Sequence, residues 1–146
     1  MKVIKEADIK VRSVIDNLDA SGLVEGDSEI TESSAVGYLH VLDEVTLLTY
    51  VEEQENGARV TTEIKCDGDS VRVLRHGDIE SDMMLAVGAP HDSIYAVGPY
   101  KFDITVNAKK IRNSLTENGG RLALIYSMEI GGAKKDVRMN IEVSIK

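Results

Sequence analysis

The chain has 146 residues, a formal net charge of −8 and 42% hydrophobic residues. This length predicts a single domain, residues 1–146, that buries its core without disulfides or a structural metal. A negative surface repels polyanions, and the short basic runs Lys109–Arg112 and Lys134–Lys135 have acidic neighbours. Neither nucleic acid nor a membrane is therefore an expected partner.

Cys66 is the only cysteine of the chain. One thiol can form neither an internal disulfide nor a four-thiolate metal site, which favours a reducing compartment. The N-terminal residues alternate charged with apolar side chains and lack the apolar run of a signal peptide. No stretch approaches the roughly 20 apolar residues of a membrane-spanning helix. We therefore expect a cytoplasmic protein, and no cofactor.

The first two strands are predicted from the alternation of apolar and polar side chains along the sequence. From Asp8 to Ile15 the apolar residues alternate with polar ones, as in a strand with one buried face. The run DASGLVEGD then predicts a loop. A second strand is predicted from Ser28 to about His40, with a bulge or bend at Gly37.

The third predicted strand, Glu44 to Glu53, is apolar on both faces, since Leu47 and Leu48 are adjacent. Sequence alone therefore does not decide which side of it faces the core. The run QENG, residues 54–57, follows and predicts a tight turn, because Asn-Gly readily adopts positive φ angles.

The stretch RVTTEIKCDGDSVRVLRHGD, from Arg59 to Asp78, predicts a hairpin. Val60, Thr62, Ile64 and Cys66 share one face of its first strand. Asp67-Gly68-Asp69 reverses the chain, and the second strand returns along the same face. The residues of that returning face are Val71, Val73 and Arg75.

Five more strands complete the prediction. They are placed at Ile79–Val87, Ser93–Val97, Phe102–Ala108, Leu122–Ile130 and Val137–Ile145. Residues 109–117 either prolong the preceding strand or form a short turn of helix. About ten strands joined by short turns favour an all-β fold, a single antiparallel up-and-down barrel of eight to ten strands. A sandwich is less favoured because no long Greek-key connection is present.

The order of several short motifs resembles that of a known family. The motifs are Tyr50-Val51-Glu52-Glu53, Thr61-Thr62-Glu63-Ile64-Lys65, Val73-Leu74-Arg75-His76-Gly77, Pro99-Tyr100 and Gly120-Arg121-Leu122-Ala123-Leu124-Ile125-Tyr126. In this order and spacing the chain, from about Ile9 to Ile145, resembles the YwiB-like bacterial domains of unknown function. The resemblance implies a calycin-like, lipocalin-like β-barrel and, because the function of that family is unassigned, no particular chemistry.

Most catalytic and metal-binding chemistries lack their sequence patterns here. No glycine-x-serine-x-glycine run and no phosphate-binding glycine loop are present. The histidines His40, His76 and His91 lack the spacing of metal ligands. Cys66 precedes two acidic residues, which oppose formation of a thiolate, so it is read as a packing residue. We assign no catalytic residue and no metal ligand.

Arg75 is the candidate for a functional residue, because it continues the apolar face of its strand. A cation inside a barrel must be paired or hydrated, and Glu52 is the obvious partner. With Tyr50, Thr62 and Tyr95 these two residues can form a polar centre that binds the acidic group of a partly apolar ligand. The structural alternative is that Arg75 extends out to solvent, with Glu52 on the outer face.

The sequence therefore predicts a non-enzymatic barrel that binds a small molecule in its interior. The alternative is a structural or protein-interaction module that acts through its outer surface without a ligand. An enzyme is a third and weaker interpretation. A homodimer formed through an exposed strand is left open.

Overall fold

A computed structural model describes residues 2–53 and 57–146 of the chain, and every regular element in them is a strand. The ten strands are β1 Lys2–Leu18, β2 Glu29–Leu42, β3 Val45–Glu53, β4 Arg59–Asp67, β5 Ser70–Gly77, β6 Ile79–Ala86, β7 His91–Val97, β8 Tyr100–Asn113, β9 Gly119–Ile130 and β10 Ala133–Ile145. Within the described residues, no helix is present that could span a membrane.

The strands form a closed barrel in which each strand pairs antiparallel with the next one along the chain. β1 closes the barrel by pairing with β10, from Ala7 opposite Ile145 to Leu18 opposite Lys134. The antiparallel up-and-down barrel predicted from the short turns is therefore confirmed. The Arg59–Asp78 hairpin is also confirmed, as β4 and β5.

Alternate residues of each strand face inward and form the core. The inward side chains are tightly buried at the end of the barrel where β2, β4, β6 and β8 finish, as at Leu85, Cys66 and Leu122. Ile111 and Leu115 pack against the core from that side, which we call the closed end. At the other end, which we call the open end, the inward-facing Tyr95 and Met128 are only half-buried, and Phe102 is exposed.

Gly37 lies within β2. Of the bulge or bend predicted at this position, the bulge is wrong, because the ladder between β1 and β2 runs through it without a register shift. The glycine instead permits a close approach of β3. A Cβ at position 37 would lie 2.2 Å from the carbonyl oxygen of Thr49 and 2.9 Å from Cβ of Tyr50. Crowding, not irregular pairing, therefore explains this glycine.

Of the two predicted alternatives for residues 109–117, the prolonged strand is confirmed as far as Asn113, and the turn of helix is wrong, because a loop without helix follows. β8 continues as a strand to Asn113, with a register shift between Ala108 and Lys110, and a turn then leads to β9. β9 begins at Gly119, earlier than predicted. The QENG turn lies outside the described residues except for Gly57, whose φ is +82°.

Candidate functional site

The inward face of β3, which the sequence left undecided, is the one that carries Tyr50. Thr46, Leu48 and Tyr50 are buried, whereas Leu47 points to the outer side. Because side chains alternate along a strand, Glu52 follows on the inward face near the open end. Its half-buried position excludes the alternative in which Glu52 stands on the solvent face.

The Glu52 carboxylate accepts a hydrogen bond from the neighbouring strand β4. The hydroxyl of Thr62, which is fully buried, donates a hydrogen bond to Glu52 Oε1 at 3.3 Å. Burial raises the pKa of the neighbouring Tyr50 phenol, and the negative Glu52 adds to the rise, whereas the positive Arg75 opposes it. Tyr50, Glu52, Thr62 and Arg75 therefore share one interior region.

Arg75 is half-buried and lies directly opposite Thr62 on β4. Its guanidinium forms no salt bridge within the described part of the chain, so the predicted Glu52–Arg75 ion pair is wrong. The reason is the register: Glu52 is opposite Val60, one step further toward the open end, and β4 separates the two strands by about 10 Å. The structure thus brings both residues to one region without pairing them.

Ser81 is a site residue that the sequence analysis missed. It lies opposite Arg75 on β5 and opposite Tyr95 on β7. Only 5% of Ser81 is exposed, and its hydroxyl oxygen has no hydrogen-bond partner among residues 2–53 and 57–146. Buried hydroxyls nearly always have a partner, so this one is available to a further group. The sequence does show that Ser81 alternates with Met83 and Leu85, which indicates an inward-facing serine. It does not show that this serine is paired with Arg75.

Tyr126 on β9 is a second residue that was missed. Its side chain is buried, and burial raises the pKa of its phenol. The positive charge of Arg75 opposes this rise, whereas Tyr95 adds to it, which places all three residues within electrostatic range of one another. Tyr95, predicted as a site residue, therefore joins the same region. We call Tyr50, Glu52, Thr62, Arg75, Ser81, Tyr95 and Tyr126 the polar centre.

A cleft of about 780 Å³ borders the polar centre at the junction of β6 and β7. These two strands pair only between Ile79–Ser81 and Tyr95–Val97, after which they separate. The hydroxyl of Ser93 donates a hydrogen bond to the carbonyl oxygen of Asp82 across the gap. Arg75, Ser81 and Ser93 line the cleft, whose volume is in the range of small-molecule sites.

The outer rim of this cleft is mainly acidic. Its carboxylates are Glu80, Asp82, Asp92 and Asp103, and its one cation among the described residues is Lys101, beside the imidazole of His76. Asp82 is held by Arg72, whose hydrogen bonds are the main cause of the lowered pKa of Asp82. An anionic group would be repelled by this rim and attracted by Arg75 on the inner side.

The cysteine and the histidine described next lie in surroundings that indicate a structural role and not a chemical one. Cys66 is buried at the closed end, and burial raises the pKa of its thiol to about 11, which fits packing and not reactivity. His76 Nδ1 lies 3.2 Å from Glu80 Oε2 at the surface. Within residues 2–53 and 57–146, no group of three acidic, histidine or cysteine side chains is arranged to hold a metal ion.

Comparison with known proteins matches the chain to one family. The family model described as Domain of unknown function (DUF1934) matches residues 9–141. The uncharacterized β-barrel protein YwiB of Bacillus subtilis (strain 168) is 27% identical over 123 residues, which are 84% of this chain and 81% of the relative. The crystal structure of the Bacillus subtilis ywiB protein superposes with a TM-score of 0.78 at 24% identity, covering 95% of this chain and 92% of that one.

The three comparisons agree with the resemblance predicted from the order of the motifs. The structural match supports the barrel fold alone, since its identity is low. The family model, in contrast, spans nine-tenths of the sequence, from the middle of β1 to the middle of β10. The chain is thus a member of the DUF1934 family of domains of unknown function.

Proposed function

We propose that this barrel binds a small, partly apolar molecule by its acidic group, which the polar centre holds. The observation that carries the proposal is the juxtaposition of Arg75, which has no carboxylate partner in the described chain, with the unpartnered hydroxyl of Ser81. A carboxylate between them would accept hydrogen bonds from both and would neutralise the guanidinium. Its apolar part would pack among inward residues such as Met128.

The charges around the polar centre favour a ligand with a single negative charge. Arg75 is its one cation, and the Glu52 carboxylate lies in the same region. With Glu52 present, a dianion would leave two negative charges uncompensated in a region partly shielded from water, which is costlier than the one that a monoanion leaves. No group of the polar centre is arranged as a nucleophile with an adjacent base, so binding without a reaction is the function we propose.

The proposal includes two further expectations from the sequence. The first is that the barrel is calycin-like, which is supported by strands that follow one another in order around a closed wall. The second is a cytoplasmic location, which is supported by the free, buried thiol of Cys66. Fractionation of the cells that produce the protein tests the location.

Native mass spectrometry of the gently purified protein tests the proposed function. We expect the native monomer to exceed the denatured chain by a discrete mass, and Arg75→Ala to lose this excess while circular dichroism stays unchanged. The matched control is Arg121→Ala, which removes an exposed arginine that pairs with Glu142 on the outer surface. An excess that survives in Arg75→Ala would refute the role of Arg75.

An absent excess in the wild type would be followed by titration of the protein with decanoate and with decanol. Decanoate that binds at least tenfold more tightly than decanol supports recognition of an acidic group, because the two probes differ mainly in charge. Equal or undetectable binding of both would instead favour the alternative, a module that acts through its outer surface.

A further inference from the structure

The outer face of β1 and β2 carries an unusual share of exposed apolar side chains. On β2 the exposed apolar residues are Ile30, Val36, Tyr38 and Leu42, and Ile4 adds to them from β1. Single exposed apolar residues are common, but these follow one hairpin from end to end. We call these five residues the apolar stripe.

A groove of about 450 Å³ lies at the closed end of the apolar stripe. Its floor is apolar, and its rim carries four basic side chains against one acidic side chain. The lining residues are Lys2, His40, Leu42, Val45, Leu47, Glu63, Lys65, Arg72 and Leu74. We call it the basic groove.

The basic groove holds cations that are not neutralised within the described chain. Arg72 is paired with Asp82, but Lys2 and Lys65 have no carboxylate partner there. The protein has a net charge of −8, so a positive rim differs in sign from most of its surface. This rim attracts an acidic partner, whereas the negative charge elsewhere repels it.

The loop between β1 and β2, residues 19–28, has the complementary character. Leu23 and Val24 are 68% and 58% exposed, and Glu25 and Asp27 follow them without a cationic partner in the described chain. The carboxylate of Asp19 fixes the loop by accepting hydrogen bonds from the backbone nitrogens of Ser21 and Leu23, at 2.9 Å and 3.0 Å. We call this segment the acidic loop.

The shape of the acidic loop is further fixed by backbone pairing. Leu18 and Val24 form an isolated bridge, and the nitrogen of Glu25 donates to the carbonyl oxygen of Asn17 at 2.7 Å. Such a loop presents its apolar residues without a large cost in conformational entropy when it binds.

The acidic loop and the basic groove cannot meet within one chain. The loop follows the end of β1, whereas Lys2 of the groove stands at the beginning of that strand. The 17 residues of β1 put on the order of 50 Å of strand between them. Any contact between the two surfaces must therefore join two molecules.

We infer that the protein forms a two-fold homodimer in which the acidic loop of each copy occupies the basic groove of the other. Two barrels side by side and antiparallel satisfy both contacts at once, because the loop lies at the open end of the barrel and the groove, which runs from β1 across to β5, lies at the closed end. The apolar stripes of the two copies then face each other between the two contacts. A reciprocal contact of this kind closes as a dimer and does not propagate into a chain.

Sedimentation and light scattering over a range of protein concentrations test this inference. We expect the wild type to have twice the chain mass of 16.0 kDa. Val24→Asp places a charge on the loop residue that enters the groove, twice per dimer, and should raise the dimer dissociation constant by about a hundredfold or more. Val87→Asp is the matched control, because Val87 is also 58% exposed but lies in the turn between β6 and β7.

A charge exchange tests the pairing of the two surfaces. Lys65→Glu should raise the dissociation constant at least tenfold, and Glu25→Lys added to it should recover most of the loss. A wild type that is monomeric at every concentration, a dimer that resists Val24→Asp, or masses that grow beyond two chains would each overturn the inference. Equal weakening by Val87→Asp would overturn it as well.

Discussion

Arg75 and Ser81 are cross-strand neighbours on β5 and β6, and both face the interior of the barrel. Arg75 carries a positive charge, and Ser81 carries a hydroxyl without a hydrogen-bond partner in the part of the chain that the structure describes. Each is unfavourable in this position, since the half-buried charge of Arg75 loses part of its hydration and the buried hydroxyl of Ser81 loses nearly all of it. Their proximity is therefore understandable as a site that lowers its free energy when an acidic group enters.

Ser81→Ala should stabilise the ligand-free protein by about 1 kcal/mol, because it removes a buried hydroxyl that has no partner. Urea unfolding of protein refolded from denaturant measures the change. Thr62→Val provides the contrast, since the Thr62 hydroxyl does have a partner, Glu52, and its removal should destabilise by about 1 kcal/mol. A loss of stability in Ser81→Ala would show that its hydroxyl is satisfied in solution.

Gly37→Ala should destabilise the barrel by about 3 kcal/mol or more, since the new methyl group would overlap the Thr49 carbonyl oxygen. Gly88→Ala is the control. Gly88 has a φ of +83° and open space around its Cα, so its substitution costs about 1 kcal/mol of backbone strain. Equal midpoints of the two variants in thermal unfolding would contradict the predicted clash.

The sequence was sufficient to predict the fold because the signals are local. Ten runs with alternating polarity and short turns between them leave few topologies other than an up-and-down barrel. Of the bulge or bend predicted at Gly37, the bulge was wrong, because sequence does not show which neighbouring strand approaches that position. The approach depends on the curvature of β2 and β3, which is a property of the closed barrel.

The candidate site was predicted only in part, because sequence indicates the register of two strands within a hairpin but not that of strands far apart in the chain. Arg75 and Thr62 belong to one hairpin, whose turn fixes their register, so their inward position followed from the pattern. Ser81 and Tyr126 lie on other strands, and their distance from Arg75 depends on registers that no turn motif specifies. The predicted Glu52–Arg75 pair was wrong for the same reason, since an offset of two residues along β4, from Val60 to Thr62, keeps the two charges apart.

Tyr50 and Tyr126 should remain protonated at a pH at which an exposed phenol ionises, since burial raises both pKa values. A pKa that is higher in the folded than in the unfolded state stabilises the fold fully below a pH of about 10, and this contribution is lost as the pH rises further. Absorbance of tyrosinate should therefore appear in two steps, the second coinciding with unfolding.

The variants Tyr50→Phe and Tyr126→Phe identify the late step. Each should remove one tyrosine from the absorbance change that accompanies alkaline unfolding, while Tyr100→Phe, which alters an exposed residue, should reduce the early step instead. A single early step that includes all five tyrosines, with circular dichroism unchanged, would contradict the burial of these two phenols.

Cys66 should react with a thiol reagent only when the barrel opens. Its side chain is 2% exposed, and with a thiol pKa of about 11 only about one molecule in a thousand carries the reactive thiolate at pH 8. The rate of labelling should therefore follow the population of unfolded chains, and Gly37→Ala should accelerate it in proportion to its loss of stability. Ser144→Cys, on the outer face of β10, should be labelled at once in the same molecule. Rapid labelling of both thiols in the folded wild-type background would show that the closed end of the barrel admits solvent without unfolding, and would require a second opening to the interior beside the polar centre.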